Sequence, residues 1–323
     1  MEIKGHLDLF SGIGGFSLGL ERAGMHPEWI GYSDIDKHAN QVFKRRFNNA
    51  EDMGDIKNIN TGELPEIDLV TFGFPCQDLS VANIRNRKGL KGKRSSLFFE
   101  AMRIIRDKKP KYFIAENVRG VFSSNGGKDF EIILKEFIDA GYDCQWELLN
   151  SMHEGGVPQS RFRCYFVGHR RGEPRPQVFP LGRYDKKIVK ESEEVDIADW
   201  RSDEGLRIRK NKMSPTLTTS TPIYIIKREI LDDYNGYIKK DNICGTLTRN
   251  SGSPSPRNGF KIIETENDIT RIRKITPVEA ARLQAFPDDW NDCCSDNQRY
   301  KQYGNAITVN LAESIFRKLY KCD

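Results

Sequence analysis

The chain has 323 residues, of which 37% are hydrophobic and 30% charged, with a formal net charge of +5. That length buries a real core and accommodates one large domain plus a smaller one, and the charge gives a mild bias toward anionic partners. No apolar run approaches the roughly 20 residues that cross a bilayer, and seven cysteines without a Cys-x-x-Cys spacing argue against a zinc site or a disulfide framework.

The N-terminus, Met1 to His6, does not read as a signal peptide, because a strand pattern begins almost at once. His6 to Phe10 reads as that strand, and Ser11-Gly12-Ile13-Gly14-Gly15 turns into a helical pattern from Phe16 to Ala23. Glycines at a strand-to-helix turn let a ligand approach the backbone, and the helix N-terminus favours negative charge. Trp29 to Tyr32 reads as a second strand ending in Ser33-Asp34-Ile35-Asp36, where doubly wound folds hydrogen-bond a ribose. The spacing is Gly-x-Gly-Gly, so the dinucleotide fingerprint is imperfect, and a purely structural turn stays open. Asp36 to Phe47 predicts a helix with Ala39, Val42, Phe43 and Phe47 on one face, followed by a loop carrying Gly54-Asp55-Ile56.

The apolar run Ile67 to Phe72 predicts a buried strand, and Gly73-Phe74-Pro75-Cys76-Gln77 follows it directly. A thiol at the carboxyl end of such a strand lies where α/β folds place their ligands, although free cysteines are usually small buried apolar residues. Residues 84–94 hold Arg85, Arg87, Lys88, Lys91, Lys93 and Arg94 with no acid, which reads as a solvated loop or as a mobile cover carrying phosphate contacts. Leu97 to Arg106 is helical in pattern, and Tyr112 to Ala115 is a buried strand ending in Glu116-Asn117-Val118. Neighbouring parallel strands would present Cys76 and Glu116 on one sheet edge; a helix-capping or solvent-facing role is the plain alternative for Glu116. A helix from Phe130 to Ala140, with Ile133, Leu134, Phe137 and Ile138 inward, and strands Gln145 to Leu149 and Cys164 to Gly168 complete a βαβ succession. Gln159-Ser160-Arg161-Phe162-Arg163 alternates cationic and aromatic residues on entry to the last strand.

After Gly168 the composition shifts to Arg, Pro and Gly, then to acids, which predicts a boundary and an irregular second domain. Within it, Thr246-Leu247-Thr248 leads through Arg249 into a loop of small polar residues. Thr276-Pro277-Val278-Glu279 opens a helix with Thr as N-cap and Pro at its first position. That helix runs through Gln284 to Phe286, and an amphipathic helix from Thr308 to Leu319 follows Tyr303-Gly304-Asn305-Ala306.

Together these motifs resemble the cytosine-C5 DNA methyltransferases of bacteria and phages, from Asp8 to Asn310. Asp8 to Phe16 is similar to the family's first S-adenosylmethionine motif, Gly73 to Gln77 to its nucleophile motif and Glu116-Asn117-Val118 to its acid motif. Gln159-x-Arg161-x-Arg163 is similar to its arginine motif, and Arg282-Leu283-Gln284-x-Phe286-Pro287 and Gly304-Asn305-Ala306 to the two that close the chain. The resemblance implies a doubly wound, Rossmann-like α/β methyltransferase fold with a smaller irregular target-recognition domain. The catalytic and cofactor-binding domain would span 1–172, the recognition domain and hinge 173–298, and a segment returning to the first domain 299–323.

The chemistry asks for these groups. C5 of cytosine is too electron-poor to attack a sulfonium methyl until a thiolate adds to C6 and makes the ring an enamine. Negative charge then gathers at N3, so a donor is needed there. By the resemblance Cys76 is the nucleophile and Glu116 the N3 partner, Arg163 holds the pyrimidine O2 and Arg161 supports it. For S-adenosyl-L-methionine, Phe10 would lie against the adenine, Gly12, Ile13, Gly14 and Gly15 would line the methionine end, and Asp34 with Ile35 would meet the ribose side. Asp55 and Ile56 would meet the adenine edge, with Pro75, Leu97, Asn305 and Ala306 completing the pocket. No metal is called for. Double-stranded DNA would be contacted by Ser80, Arg85, Arg87, Lys88, Lys91, Arg94 and Gln159, with Thr246, Leu247 and Arg249 in the recognition domain, and the target base would be flipped out of the duplex.

The expected protein is a cytoplasmic monomer, free of the membrane, with any cognate restriction endonuclease acting separately. A tRNA cytosine-C5 methyltransferase shares the fold, but the Cys-Phe-Thr signature usual in that branch is absent. A nicotinamide-dependent dehydrogenase would leave Pro75-Cys76-Gln77 and Glu116-Asn117-Val118 without a purpose. An amino-methylating enzyme would need an Asp/Asn-Pro-Pro-Tyr motif, and a DNA-binding module without activity would have no use for Cys76, Glu116, Arg161 and Arg163 together.

Overall fold

A computed structural model describes residues 3–74, 96–183, 195–201, 205–208, 223–227, 263–266, 269–272 and 275–320. The chain divides into two compact units. The first comprises Met1–Leu149, Phe162–Gly182 and Leu311–Asp323; the second comprises Asn150–Arg161 and Arg183–Asn310. The chain thus passes from one unit to the other after residues 149, 161, 182 and 310.

The first unit is built on a seven-stranded sheet. In chain order its elements are β1 (Gly5–Leu9), α1 (Gly15–Arg22), β2 (Trp29–Ser33), α2 (Lys37–Arg46), β3 (Glu51–Asp52), β4 (Leu69–Gly73), α3 (Ser96–Lys108), β5 (Tyr112–Val118), α4 (Lys128–Asp139), β6 (Tyr142–Asn150) and β7 (Phe162–Arg170). The spatial order is β3-β2-β1-β4-β5-β7-β6. From β3 to β5 every pairing is parallel, and Leu69, Val70, Thr71 and Phe72 of β4 are fully buried, as a central strand covered on both faces requires. Burying Phe72 alone contributes about 2–3 kcal/mol. The chain leaves β1 toward β2 on one side and reaches β4 on the other, so the order reverses at the carboxyl ends of β1 and β4, where open α/β sheets bind ligands.

Local chemistry fixes the helices. Asp36 caps α2 by accepting from the backbone of His38 and Ala39, Ala39, Val42 and Phe43 form the buried stripe, and Lys44, Arg45 and Arg46 complement the dipole at the last turn. Phe43 stacks on Tyr32 of β2 at 4.2 Å between ring centroids. In α4, Ile133 and Phe137 lie fully buried one turn apart, whereas Ile138 is 51% exposed. The expected inward placement of Ile138 is thus corrected: one residue beyond Phe137 is about 100° around the helix.

β7 runs antiparallel to β5, with Glu116 opposite Tyr165 and Val118 opposite Arg163. The succession of parallel strands expected from the sequence therefore ends at β5. The second unit carries a five-stranded sheet of order β12-β11-β10-β8-β9, from β8 (Val195–Arg201), β9 (Gly205–Ile208), β10 (Ile223–Lys227), β11 (Ile263–Glu266) and β12 (Ile269–Ile272). It is more regular than its composition suggests. Helices α5 (Pro277–Leu283) and α6 (Asp296–Asn305) follow, and α7 (Val309–Tyr320) closes the described chain. Thr276 and Glu279 form a complete capping box on α5, as the sequence predicts. Among the described residues no helix is long and apolar enough to cross a membrane.

Candidate active site

The glycine turn follows β1 directly. Phe10 and Gly12 adopt left-handed backbone with φ of 52° and 53°, and Gly14, at φ 83°, caps α1. A methyl group at Gly14 would sit 2.7 Å from the Phe47 ring, so this position needs glycine twice over. Among the described residues, a methyl at Gly12 would meet no atom within 4 Å. The Gly12 N–H donates to Asp34 Oδ2 at 2.9 Å, and the Asp36 N–H donates to Asp34 Oδ1 at 2.8 Å. Burial first of all pushes the Asp34 carboxyl above its usual range, opposed by these backbone donors. Beside it Ile35 is 76% exposed, an unusual setting for a large apolar side chain. Ser33 Oγ donates to the Gly54 carbonyl, Asp55 accepts from the Lys57 N–H, and Ile56 is buried with its carbonyl held by Arg103. Leu97 is half-buried against the core.

The turn is anchored underneath by a buried polar network that the sequence reading passed over. Asp8 Oδ2 accepts from Ser17 Oγ of α1 at 2.8 Å, and Asp8 Oδ1 accepts from Thr71 Oγ1 of β4 at 2.9 Å. His6 Nε2 lies 2.8 Å from the same Thr71 oxygen. Because the Thr71 hydroxyl gives its proton to Asp8, His6 Nε2 is the donor in that pair. Burial pushes the Asp8 carboxyl up to about 7 and the His6 imidazole down to about 3. One carboxyl group thereby ties the helix of the glycine turn to the strand that leads toward Cys76. The signal was the alternation of His6 and Asp8 with buried leucines in one strand.

At the end of β4, Gly73 lies opposite Glu116 of β5 in parallel register. A methyl at Gly73 would come within 3.2 Å of Glu116 Oε2, so the carboxylate leans over the residue that begins Gly73-Phe74-Pro75-Cys76. Arg163 Nε approaches Glu116 Oε1 at 2.8 Å, with both side chains 11% exposed. The antiparallel β5–β7 pairing produces this contact: Arg163 stands two residues from Tyr165, the residue opposite Glu116, and so shares its face. The Arg163 Nη1 donates to the carbonyl of Phe162, leaving the guanidinium fixed at both ends. The arrangement is a charged pair in a nearly dry sheet edge, able to hold a polar planar ligand by both donor and acceptor.

Arg161 lies in the second unit and is 2% exposed. Its Nη1 donates to the Gly304 carbonyl at 3.1 Å and its Nη2 to the Ala306 carbonyl at 2.8 Å. Arg161 therefore braces the Gly304-Asn305-Ala306 turn, in which Asn305 is exposed and Ala306 half-buried. Gln284 completes this frame, donating to the Tyr303 carbonyl and accepting from Thr308 Oγ1, which also meets Ser151 Oγ at 2.7 Å. Gln159 is fully buried, and among the described residues neither amide atom has a hydrogen-bond partner. Pro75, Cys76, Ser80, Arg85, Arg87, Lys88, Lys91, Arg94, Thr246, Leu247 and Arg249 lie outside the described residues.

Residues 5–321 match the family model described as C-5 cytosine-specific DNA methylase. The chain is 31% identical over 322 residues to the type II methyltransferase M.Bsp6I of Bacillus sp. (strain RFL6), covering 97% of each chain. It is 32% identical over 313 residues to the type II methyltransferase M.NlaX of Neisseria lactamica, covering 97% of this chain and 95% of that one. Among solved structures, the S. pombe Dnmt2 methyltransferase superposes with a TM-score of 0.64 at 18% identity over 98% of both chains, a likeness of fold. A glycine turn closed by a strand-end carboxylate, a second carboxylate paired with arginine across the sheet, and a match over nearly the whole length agree: the chain belongs to the C-5 cytosine-specific DNA methylase family and is a DNA cytosine-C5 methyltransferase that uses S-adenosylmethionine as methyl donor.

Proposed function

We propose that the enzyme methylates one cytosine within a specific duplex sequence through a covalent adduct between Cys76 and C6 of a flipped base. The observation that carries this reading is the Glu116–Arg163 pair, 2.8 Å apart, standing over Gly73 three residues before the thiol. Cys76 would add to C6 as the thiolate, and the electron pair displaced from the C5–C6 bond would move through the ring toward N3. Glu116 would hold a proton at N3, and Arg163 would meet O2, so the ring is gripped on the edge where charge develops. Groups in these positions supply about 10²–10⁴-fold each. Loss of the C5 proton then expels Cys76 and restores the aromatic ring.

The residues around the glycine turn suit the methyl donor. Gly12 has no described residue within reach of a side chain, the Asp34 carboxyl beside it would accept from hydroxyls, and exposed Ile35 offers an apolar face to a ring. When bound, S-adenosylmethionine supplies an electrophilic methyl on sulfonium. Phe10, Ile13, Gly14, Gly15, Asp55, Ile56, Pro75, Leu97, Asn305 and Ala306 would complete its surroundings. The basic loop through Arg85, Arg87, Lys88, Lys91 and Arg94, with Ser80, would close over the DNA backbone, and Gln159 would meet it from the arginine motif. Residues 173–298, with Thr246, Leu247 and Arg249, would read the sequence. We infer a monomer acting without a metal and separately from any cognate endonuclease.

The test is a duplex with 5-fluorocytosine at the target. The fluorine cannot leave as a cation, so the adduct is trapped, and the protein with S-adenosylmethionine should yield a denaturation-resistant complex. Cys76→Ala should abolish it. An adduct that persists in that variant ends the nucleophile assignment.

A further inference from the structure

Between α5 and α6 the chain carries two adjacent cysteines that the methylation chemistry does not use. Cys293 and Cys294 are both half-buried, and their Sγ atoms lie 4.0 Å apart without a disulfide between them. Cys164, by contrast, is buried and Cys144 belongs to the sheet edge. The 293–294 pair is held in a fixed turn. The Cys294 N–H donates to the Asn291 carbonyl, Cys294 Sγ accepts from Gln302 Nε2 at 3.5 Å, and Gln302 Oε1 accepts from Asn291 Nδ2 at 2.8 Å. Arg299 Nε donates to Asn291 Oδ1 at 3.0 Å, so two buried amides and a guanidinium back the thiols from inside the second unit.

We propose that Cys293 and Cys294 form a two-thiolate clamp for a soft trivalent electrophile of the organoarsenical class. The geometry favours a bridging atom over a direct disulfide. Neighbouring Cα atoms are about 3.8 Å apart across a trans peptide, whereas disulfides ask for roughly 4.4–6.8 Å. The two Sγ atoms, 4.0 Å apart, are near enough to share one bridging atom. Soft thiolates select soft, thiophilic centres. Asp292 and Asp296 are exposed on either side of the pair in sequence, which disfavours anionic thiol reagents and is compatible with a neutral arsenous species. In the step, each thiol gives its proton to a hydroxyl on arsenic. Two As–S bonds replace two As–O bonds, two waters leave, and no atom changes oxidation state.

The experiment treats the full-length protein with hydrated phenylarsine oxide and follows intact mass. One phenylarsenic should remain in the presence of about a 100-fold excess of monothiol, because an opened As–S bond recloses intramolecularly before the second is exchanged, and 2,3-dimercaptopropanol should strip it. Peptide mapping of the wild-type chain should place the arsenic on the peptide holding residues 293 and 294. Cys293→Ser and Cys294→Ser should each convert the adduct to one that monothiol removes, while Cys76→Ser should leave it intact. Failure of the folded chain to form the adduct, its removal from wild type by monothiol, or arsenic mapped to any other cysteine overturns the proposal.

Discussion

The network under the glycine turn predicts a compensation in pH dependence that a single substitution exposes. Asp8 titrates near 3.8 when unfolded and at about 7 in the native protein, so between these values the native state holds one more proton. Stability from this group therefore falls as pH rises through that window. His6 behaves oppositely: ordinarily near 6.5, it is held at about 3, so between those values the unfolded state holds the extra proton and stability rises with pH. Each contributes a slope of about 1.4 kcal/mol per pH unit, and from roughly pH 4.5 to 6.5 the two slopes cancel. Asp8→Asn removes one of them. Asparagine is uncharged like the neutral acid that Asp8 is in this range, and with its amide oxygen toward Thr71 it still accepts that hydroxyl, so His6 keeps its surroundings. The variant should gain about 2–3 kcal/mol relative to wild type on going from pH 4.5 to 6.5. His6→Gln should lose a similar amount over the same interval. Urea unfolding at half-unit pH steps measures this directly. Parallel stability curves for wild type and Asp8→Asn, within about 0.5 kcal/mol, would refute the argument.

Two further substitutions test the placement of the charged groups. Gly73→Ala sets a methyl 3.2 Å from Glu116 Oε2 and must displace the carboxylate by a few tenths of an ångström. Single-turnover methylation should slow by about tenfold, short of the roughly 10²-fold that a full 1 Å misplacement can cost, while the unfolding free energy changes by no more than about 1 kcal/mol; an unaltered rate would show that the carboxylate position is not critical. Arg161→Lys leaves one of the Gly304 and Ala306 carbonyls without its donor, because an ammonium cannot reproduce the planar fork. The loss should be about 1–3 kcal/mol, read as a lowered thermal midpoint with the charge unchanged.

The sequence patterns that survived in the structure are those in which burial is continuous. β1, β4 and β5 are apolar runs covered on both faces, and their parallel neighbourhood follows from that coverage. α6 was missed because Asp296 to Asn305 offers only Tyr300 and Tyr303 as an apolar stripe, the helix being otherwise polar. The five strands between Val195 and Ile272 were missed for a related reason: acids, prolines and glycines between them hide the alternation within each. The direction of β7 was not readable either, since a strand's own residues do not say whether a neighbour runs with or against it.

That last point governs the site. Glu116 and Arg163 were each recognisable as motif residues, but their motifs are more than forty positions apart and nothing in either sets their separation. A parallel β7 would run the opposite way along the edge of β5 and would not place Arg163 diagonally across from Glu116. The antiparallel register, with Val118 opposite Arg163 and Glu116 opposite Tyr165, puts both side chains on one face and closes the 2.8 Å pair. The parallel register on the other side of β5 brings Gly73 beneath the same carboxylate. One glutamate thus takes its arginine from one neighbour and its space from the other, and only a mixed sheet with β5 at the change of direction supplies both. If Glu116 and Arg163 act as proposed, the β5–β7 register sets the rate as well as the fold, and Gly73→Ala should act on rate before it acts on stability.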